Sequence, residues 1–168
     1  NVNANVSYNK NEITELYNGI TEYVASDTGR MVAVGHPLGE FYLNRYAGVN
    51  PINGDALWYT KDGEITTEYN ESDKVMLGKT HEAPWQGGFG TTLSWQGFSL
   101  SAQFTWVADR WMLNNDRVFQ ESNGLFSAYN QSKRMLYDRW KKPGDVTDIP
   151  RYGVTPQLDS RFLEDASF

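Results

Sequence analysis

Residues 87–106 read GGFGTTLSWQGFSLSAQFTW. Phe89, Thr91, Leu93 and Trp95 take alternate positions, and so do Phe98, Leu100, Ala102, Phe104 and Trp106 beyond Gln96-Gly97. Alternate side chains of a strand share a face, so this period of two predicts two strands, each with one apolar face. Gly97 can take the positive φ that the favoured hairpin turns require. With Gln96-Gly97 as a two-residue turn, Trp95 sits opposite Phe98, Leu93 opposite Leu100, Thr91 opposite Ala102 and Phe89 opposite Phe104. The other face then pairs Ser94 with Ser99, Thr92 with Ser101 and Gly90 with Gln103. A slip of one residue would mix the two faces, so the register is strongly specified.

The second strand runs from Phe98 to about Ala108, long for an ordinary strand and right for a tilted transmembrane one of roughly 9–11 residues. Trp95 and Phe98 flank the turn, and Trp106 and Trp111 lie at the far end. Aromatic residues at both ends of an apolar band, with a tight turn at one end and a long loop at the other, match an outer-membrane barrel. A soluble sandwich or lipocalin-like barrel would turn the same apolar face inward. Its solvent face would normally carry Lys, Glu or Arg, whereas here the polar face holds only Gly, Ser, Thr and Gln. On pattern alone both architectures stay open.

Outward from the hairpin, Val2, Ala4, Val6 and Tyr8 alternate with Asn1, Asn3, Asn5 and Ser7, a further strand with an uncharged polar face. It could continue through Ile13 and Leu16. Breakers Gly29, Gly35, Pro37, Gly39 and Gly48 punctuate 23–48, and HPLGEFYLNRYAGV (36–49) reads as ordered loop with short extended pieces. Asn53-Gly54 and Asp62-Gly63 are turn signals, and ALWYT and EITTEY read as a short hairpin. After Asp109 the alternation stops. SAYNQSKRMLYDRWKK (127–142) carries Tyr129, Lys133, Leu136 and Trp140 near helical spacing and predicts a helix ending before Pro143. The remainder reads as a long irregular loop, which suits the surface of a rigid scaffold.

Several function classes are disfavoured. The chain of 168 residues has a net charge of −6 and no basic stripe, so nucleic acid is not an expected partner. The acidic excess lies in residues 1–86, with 6 Lys/Arg against 12 Asp/Glu, while 87–168 hold 9 of each. There is no cysteine, and His36 and His81 have no partner at metal-ligand spacing, so neither a disulfide scaffold nor a metal or other cofactor is expected. The acidic turns lack the spacing of a calcium loop. Acid pairs such as Asp138 with Asp145, or Glu164 with Asp165, have no fixed separation, and no hydrolase or phosphate-loop motif occurs, so an enzyme is not expected. The chain opens as if inside a strand and ends at EDASF, which predicts a piece of a longer protein.

Several segments together resemble the SusC/RagA-like TonB-linked outer-membrane transporters. They are NKNEITEL (9–16), GHPLGEFYLNRYAGVNPINGDALWYTKDGEIT (35–66), VMLGKTHEAPWQGGFGTTLSWQGFSLSAQFTW (75–106), WKKPGDVTDIPR (140–151) and RFLEDASF (161–168). They span nearly the whole chain in order. The resemblance implies an all-β fold: antiparallel strands and long outer loops from a 22-stranded transmembrane barrel, with one short loop helix. Residues 1–22 would hold a strand, 23–86 an outer loop with a hairpin, 87–108 a transmembrane hairpin and 109–168 a long outer loop. Neither plug domain nor TonB box would lie in this chain.

The implied function is TonB-energised uptake of glycans or oligopeptides across the outer membrane of a Gram-negative bacterium, together with a SusD-like surface lipoprotein. TonB would be reached through parts of the protein outside this chain. Phe89, Leu93, Trp95, Phe98, Leu100, Phe104 and Trp106 would face lipid. Thr92, Ser94, Ser99, Ser101 and Gln103 would face the lumen. Trp58, Tyr59, Trp111, Phe119, Phe126, Tyr129, Tyr137 and Trp140 would lie on or near outer loops, where flat aromatic faces suit solute or lipoprotein contact. The rival reading is a soluble β-sandwich that holds carbohydrate with exposed aromatics.

Overall fold

The computed structural model describes residues 1–25, 29–126 and 128–168. The strands are β1 (Val2–Tyr8), β2 (Glu22–Ala25), β3 (Arg30–Ala33), β4 (Glu40–Leu43), β5 (Arg45–Val49), β6 (Ala56–Tyr59), β7 (Ile65–Thr66), β8 (Val75–Thr80), β9 (Trp85–Trp95), β10 (Phe98–Ala108), β11 (Trp111–Leu113) and β12 (Leu163–Asp165). Two short helices, α1 (Asn115–Gln120) and α2 (Lys133–Tyr137), and three single 3-10 turns complete the elements.

The long hairpin forms in the register its turn dictates: Trp95 opposite Phe98, Leu93 opposite Leu100 and Phe89 opposite Phe104. Gln96 and Gly97 both have positive φ, 47° and 87°. That is the two-residue turn whose twist matches the flanking strands. β1 adds to the other edge of β9, giving an antiparallel ribbon in the order β1-β9-β10. Its apolar face is built of rows: Val2-Thr91-Ala102, Ala4-Phe89-Phe104, Val6-Gly87-Trp106 and Tyr8-Trp85-Ala108. Phe89 and Phe104 stack with centroids 4.8 Å apart, and Tyr8 meets Trp85 at 4.4 Å. At Gly87 a Cβ would collide with the Trp106 ring, so glycine lets that indole lie flat across the sheet.

The two connections, 9–84 and 109–162, fold onto one another beyond one end of the ribbon. β10 continues as β11 past Asp109, whose φ is 60°. Val107 and Phe168 exchange both backbone hydrogen bonds, while Arg110 C=O accepts from Ala166 N–H. One extra residue therefore sits on the β10–β11 side, a bulge at which the strand bends out of the ribbon. β11 pairs with β12, so the second connection leaves and returns on adjacent strands. Phe41 and Leu43 of β4 pack on Leu163 of β12, with Leu77, Trp111, Leu113 and Leu158 around them. Leu43, Ile149 and Phe162 are fully buried. Each such side chain contributes about 1.5–3 kcal/mol of burial, so this shared core holds both connections to the strand stems.

Several expectations are corrected. β1 ends at Tyr8, and 9–21 contain a 3-10 turn at Tyr17–Gly19 rather than a strand through Ile13 and Leu16. The short extended pieces expected within 36–49 are β4 and β5, but 23–86 is more than loop and hairpin: β2, β3, β4 and β8 form a four-stranded sheet, and β5-β6-β7 a second one. The predicted hairpin around Asp62-Gly63 is present as β6–β7. The helix expected over 127–142 is only Lys133–Tyr137, with residue 127 outside the described residues. Among the described residues there are two short helices rather than one, since α1 was not foreseen. The described strands are antiparallel sheets and do not close into a barrel among themselves. No second sheet covers the apolar face of the ribbon among the described residues, so the sandwich alternative is not what forms.

Candidate functional site: two ribbon faces and the loop aromatics

The ribbon offers two chemically distinct surfaces. Phe89, Leu93, Trp95, Phe98, Leu100 and Phe104 lie on its apolar face and are 51–77% exposed. Trp106 lies on the same face, half-buried over Gly87. An uncovered apolar surface of this extent marks contact with a membrane or another protein. Thr92, Ser94, Ser99, Ser101 and Gln103 occupy the opposite face. There Ser94 and Ser99 hydroxyls meet at 3.0 Å and Thr92 and Ser101 at 3.3 Å. Gln103 and Asn3 lean over Gly90, where a Cβ would meet both side chains. No helix among the described residues is long and apolar enough to cross a membrane, which says nothing of strands.

The eight loop aromatics are not one constellation. Trp58 is buried, its indole N–H donating to Asp159 Oδ2 at 2.8 Å between Tyr46 and Tyr69. Its neighbour Tyr59 lies under the Arg45 guanidinium. The Lys79 ammonium sits 3.4 Å over the Trp111 ring. Trp140 packs on Gly54 and donates to the Pro51 carbonyl at 3.2 Å. Phe119, Phe126 and Tyr129 do come together, with centroids 5.0, 5.7 and 6.3 Å apart. Tyr137 stands alone and exposed at the C-terminal end of α2.

Sequence reasoning missed the ionic cluster around Glu121, the residue that caps α1. Glu121 is fully buried and accepts a fork from Arg117, Nε to Oε1 and Nη2 to Oε2, both at 3.1 Å. Arg134 Nη1 adds a bond to Oε1 at 2.7 Å and grips both oxygens of Asp148 at 2.8 Å. Arg117 also reaches Glu164 Oε1 at 2.5 Å. Burial opposes the charge on Arg117, but the hydrogen bonds it donates to Glu121 and Glu164 outweigh this and hold the guanidinium above its usual pKa. Burial alone would raise the Asp148 pKa; the Arg134 fork more than cancels this, and the carboxyl titrates below its usual range. Burial pushes the Asp159 carboxyl up, against the Trp58 and Arg161 N–H donors. The only sequence signal was the i,i+4 pair Arg117 and Glu121, which carries meaning once α1 is known to be a helix. Among the described residues no three His or acidic groups gather as a metal site.

No protein-family model matches the chain. No curated protein matches it either. Solved structures do. The structure of the RagAB peptide transporter superposes with a TM-score of 0.91 at 35% identity, over 99% of this chain and 19% of that one. The RagAB peptide importer in its "open-open" state gives 0.87 at 37% identity over 99% of this chain and 18% of that one. Its "closed-closed" state gives 0.88 at 36%, over 99% and 19%. This chain thus spans about a fifth of the length of those it matches, and the likeness is to a transporter, not an enzyme. The chain is a segment of a SusC/RagA-like protein.

Proposed function

We propose that this chain supplies part of the wall and outer loops of a TonB-energised outer-membrane importer, and that the solute is an oligopeptide. The carrying observation is the ribbon itself. Eleven-residue strands with one exposed apolar face and one uncharged polar face have the length and sidedness of a barrel wall. The apolar residues then contact lipid, and the Ser/Thr/Gln face lines the lumen. The outer lobe forms the surface on which a SusD-like lipoprotein docks, as the two-component name RagAB supports. A 22-stranded barrel and an N-terminal plug belong to the rest of the protein. Peptide is preferred to glycan because the similar structures are described as peptide importers; nothing specific favours a glycan.

The test is uptake by cells carrying the full-length transporter with its lipoprotein, with and without TonB. Labelled oligopeptides should accumulate only when TonB is present. Accumulation of oligosaccharides with no accumulation of peptides would overturn the solute assignment.

A further inference from the structure

We propose that the groove between α1 and residues 129–130 receives the N-terminal residue of an oligopeptide, with Asp116 taking its α-ammonium and Phe119 and Tyr129 its apolar side chain. This rests on the peptide-import reading above. Asp116, Phe119 and Gln120 stand at i, i+3 and i+4 on α1 and so share one helix face. Tyr129 and Asn130 form the facing wall of an open cavity lined by these five residues. The Phe119 and Tyr129 rings lie 5.7 Å apart, a sloping apolar floor.

The walls are fixed before any ligand arrives. Ser132 N–H donates to the Gln120 carbonyl at 2.9 Å, and Gln131 Nε2 to the Phe119 carbonyl at 3.4 Å. Arg117 ties the helix to Glu164 of β12. The arginines of this region are committed to other acids, Arg117 to Glu121 and Glu164 and Arg134 to Glu121, Asp138 and Asp148, and Lys133 makes no ion pair with Asp116 among the described residues. Among the described residues Asp116 has no ion-pair partner, and the carboxamides of Gln120 and Asn130 make no side-chain hydrogen bond. The groove therefore offers one uncompensated negative charge, two free amides and an aromatic wall. Charge complementarity calls for a cation; the amides match a peptide backbone, which donates and accepts alike. The N-terminal residue of a peptide carries a cation and an apolar side chain on one Cα, followed directly by backbone amide.

The experiment uses the full-length transporter with its lipoprotein and two pentapeptides: one with an N-terminal phenylalanine followed by alanines, and its N-acetyl twin. The free peptide should bind about tenfold more tightly than the twin, the scale of one charge-assisted hydrogen bond. Asp116→Asn should bring the free peptide to the level of the twin and leave the twin unchanged. Tyr129→Ala should weaken both. Equal binding of the two peptides by the unaltered protein overturns the inference and leaves peptide import standing, as does an Asp116→Asn variant that keeps the discrimination. Tighter binding of an acetylated peptide with an internal lysine would assign the groove to a side-chain cation and overturn it too. A transporter that takes up neither peptide but does take up sugar removes the peptide reading and this inference together.

Discussion

Glu121 shows what a single buried acid can organise. Its carboxylate is out of water and accepts hydrogen bonds from two arginines, Arg117 and Arg134. Glu121→Ala would take the shared partner from both guanidinium groups, leaving Arg117 with Glu164 and Arg134 with Asp148 and Asp138, and is expected to destabilise the lobe by about 3 kcal/mol. Protease nicking between 122 and 131 in the full protein would report it; Glu121→Gln, which keeps the shape and half the acceptors, should be milder. Two acids nearby give pH dependence of opposite sign. Asp148 titrates below its ordinary 3.8, so its contribution is complete above that value and is lost as pH falls through the depressed one. Asp159 is raised above 3.8, so its contribution is complete below that value and is lost as pH climbs through the raised one. Asp148→Asn should therefore remove part of the loss of protease protection that sets in as pH falls below about 4. Asp159→Asn should reduce the loss on the other side. Equal acid sensitivity of the Asp148→Asn variant and the unaltered lobe would count against the Arg134 fork as its cause.

At the scale of elements, the β9–β10 turn is the place to test local coding. Gln96 holds a left-handed conformation that costs a residue with a side chain, and asparagine tolerates it better. Gln96→Asn is expected to stabilise the hairpin by a few tenths to about 1 kcal/mol, and Gly97→Val to destabilise it by about 1–2 kcal/mol, read as shifts in the unfolding of the full protein. This hairpin was legible in the sequence because every partner of β9 in β10 follows from one two-residue loop. β1, a strand by its own alternation, was legible too, though its place beside β9 was not. The four-stranded sheet β2-β3-β4-β8 was not legible. Its strands are four to six residues long, glycines and a proline separate them, and β4 finds β8 more than thirty residues away. The helix around 133–137 was read too long for a tertiary reason. Trp140 N–H donates to the Ile149 carbonyl and Arg139 forms a parallel bridge with Ile149, which pulls the chain out of the helix just after Asp138. Of the candidate site, the sorting of ribbon residues by face was written in the period of two. The grouping of Phe119 with Phe126 and Tyr129, and the burial of Trp58, depended on contacts that no local pattern encodes.

For the whole molecule the decisive quantity is which surroundings each ribbon face meets. Leu93 and Ser94 are adjacent, as are Ser99 and Leu100, and each pair spans the sheet at one depth. Depth and local flexibility are therefore matched within a pair, and only sidedness differs. The chain contains no cysteine, so single cysteines at these positions report without background from it. In outer membranes carrying the full transporter, cysteine at Leu93 or Leu100 should react with a lipid-soluble maleimide and resist a charged, water-soluble one. Cysteine at Ser94 or Ser99 should show the reverse preference. A ribbon wetted on both faces would label alike at all four positions with the aqueous reagent, and the barrel-wall assignment would then be lost. A ribbon covered by protein on its apolar face would leave Leu93 and Leu100 unreactive to both reagents, pointing instead to a docked domain. The expected pattern alone places lipid against Phe89, Leu93, Leu100 and Phe104, and water against the hydroxyl pairs behind them.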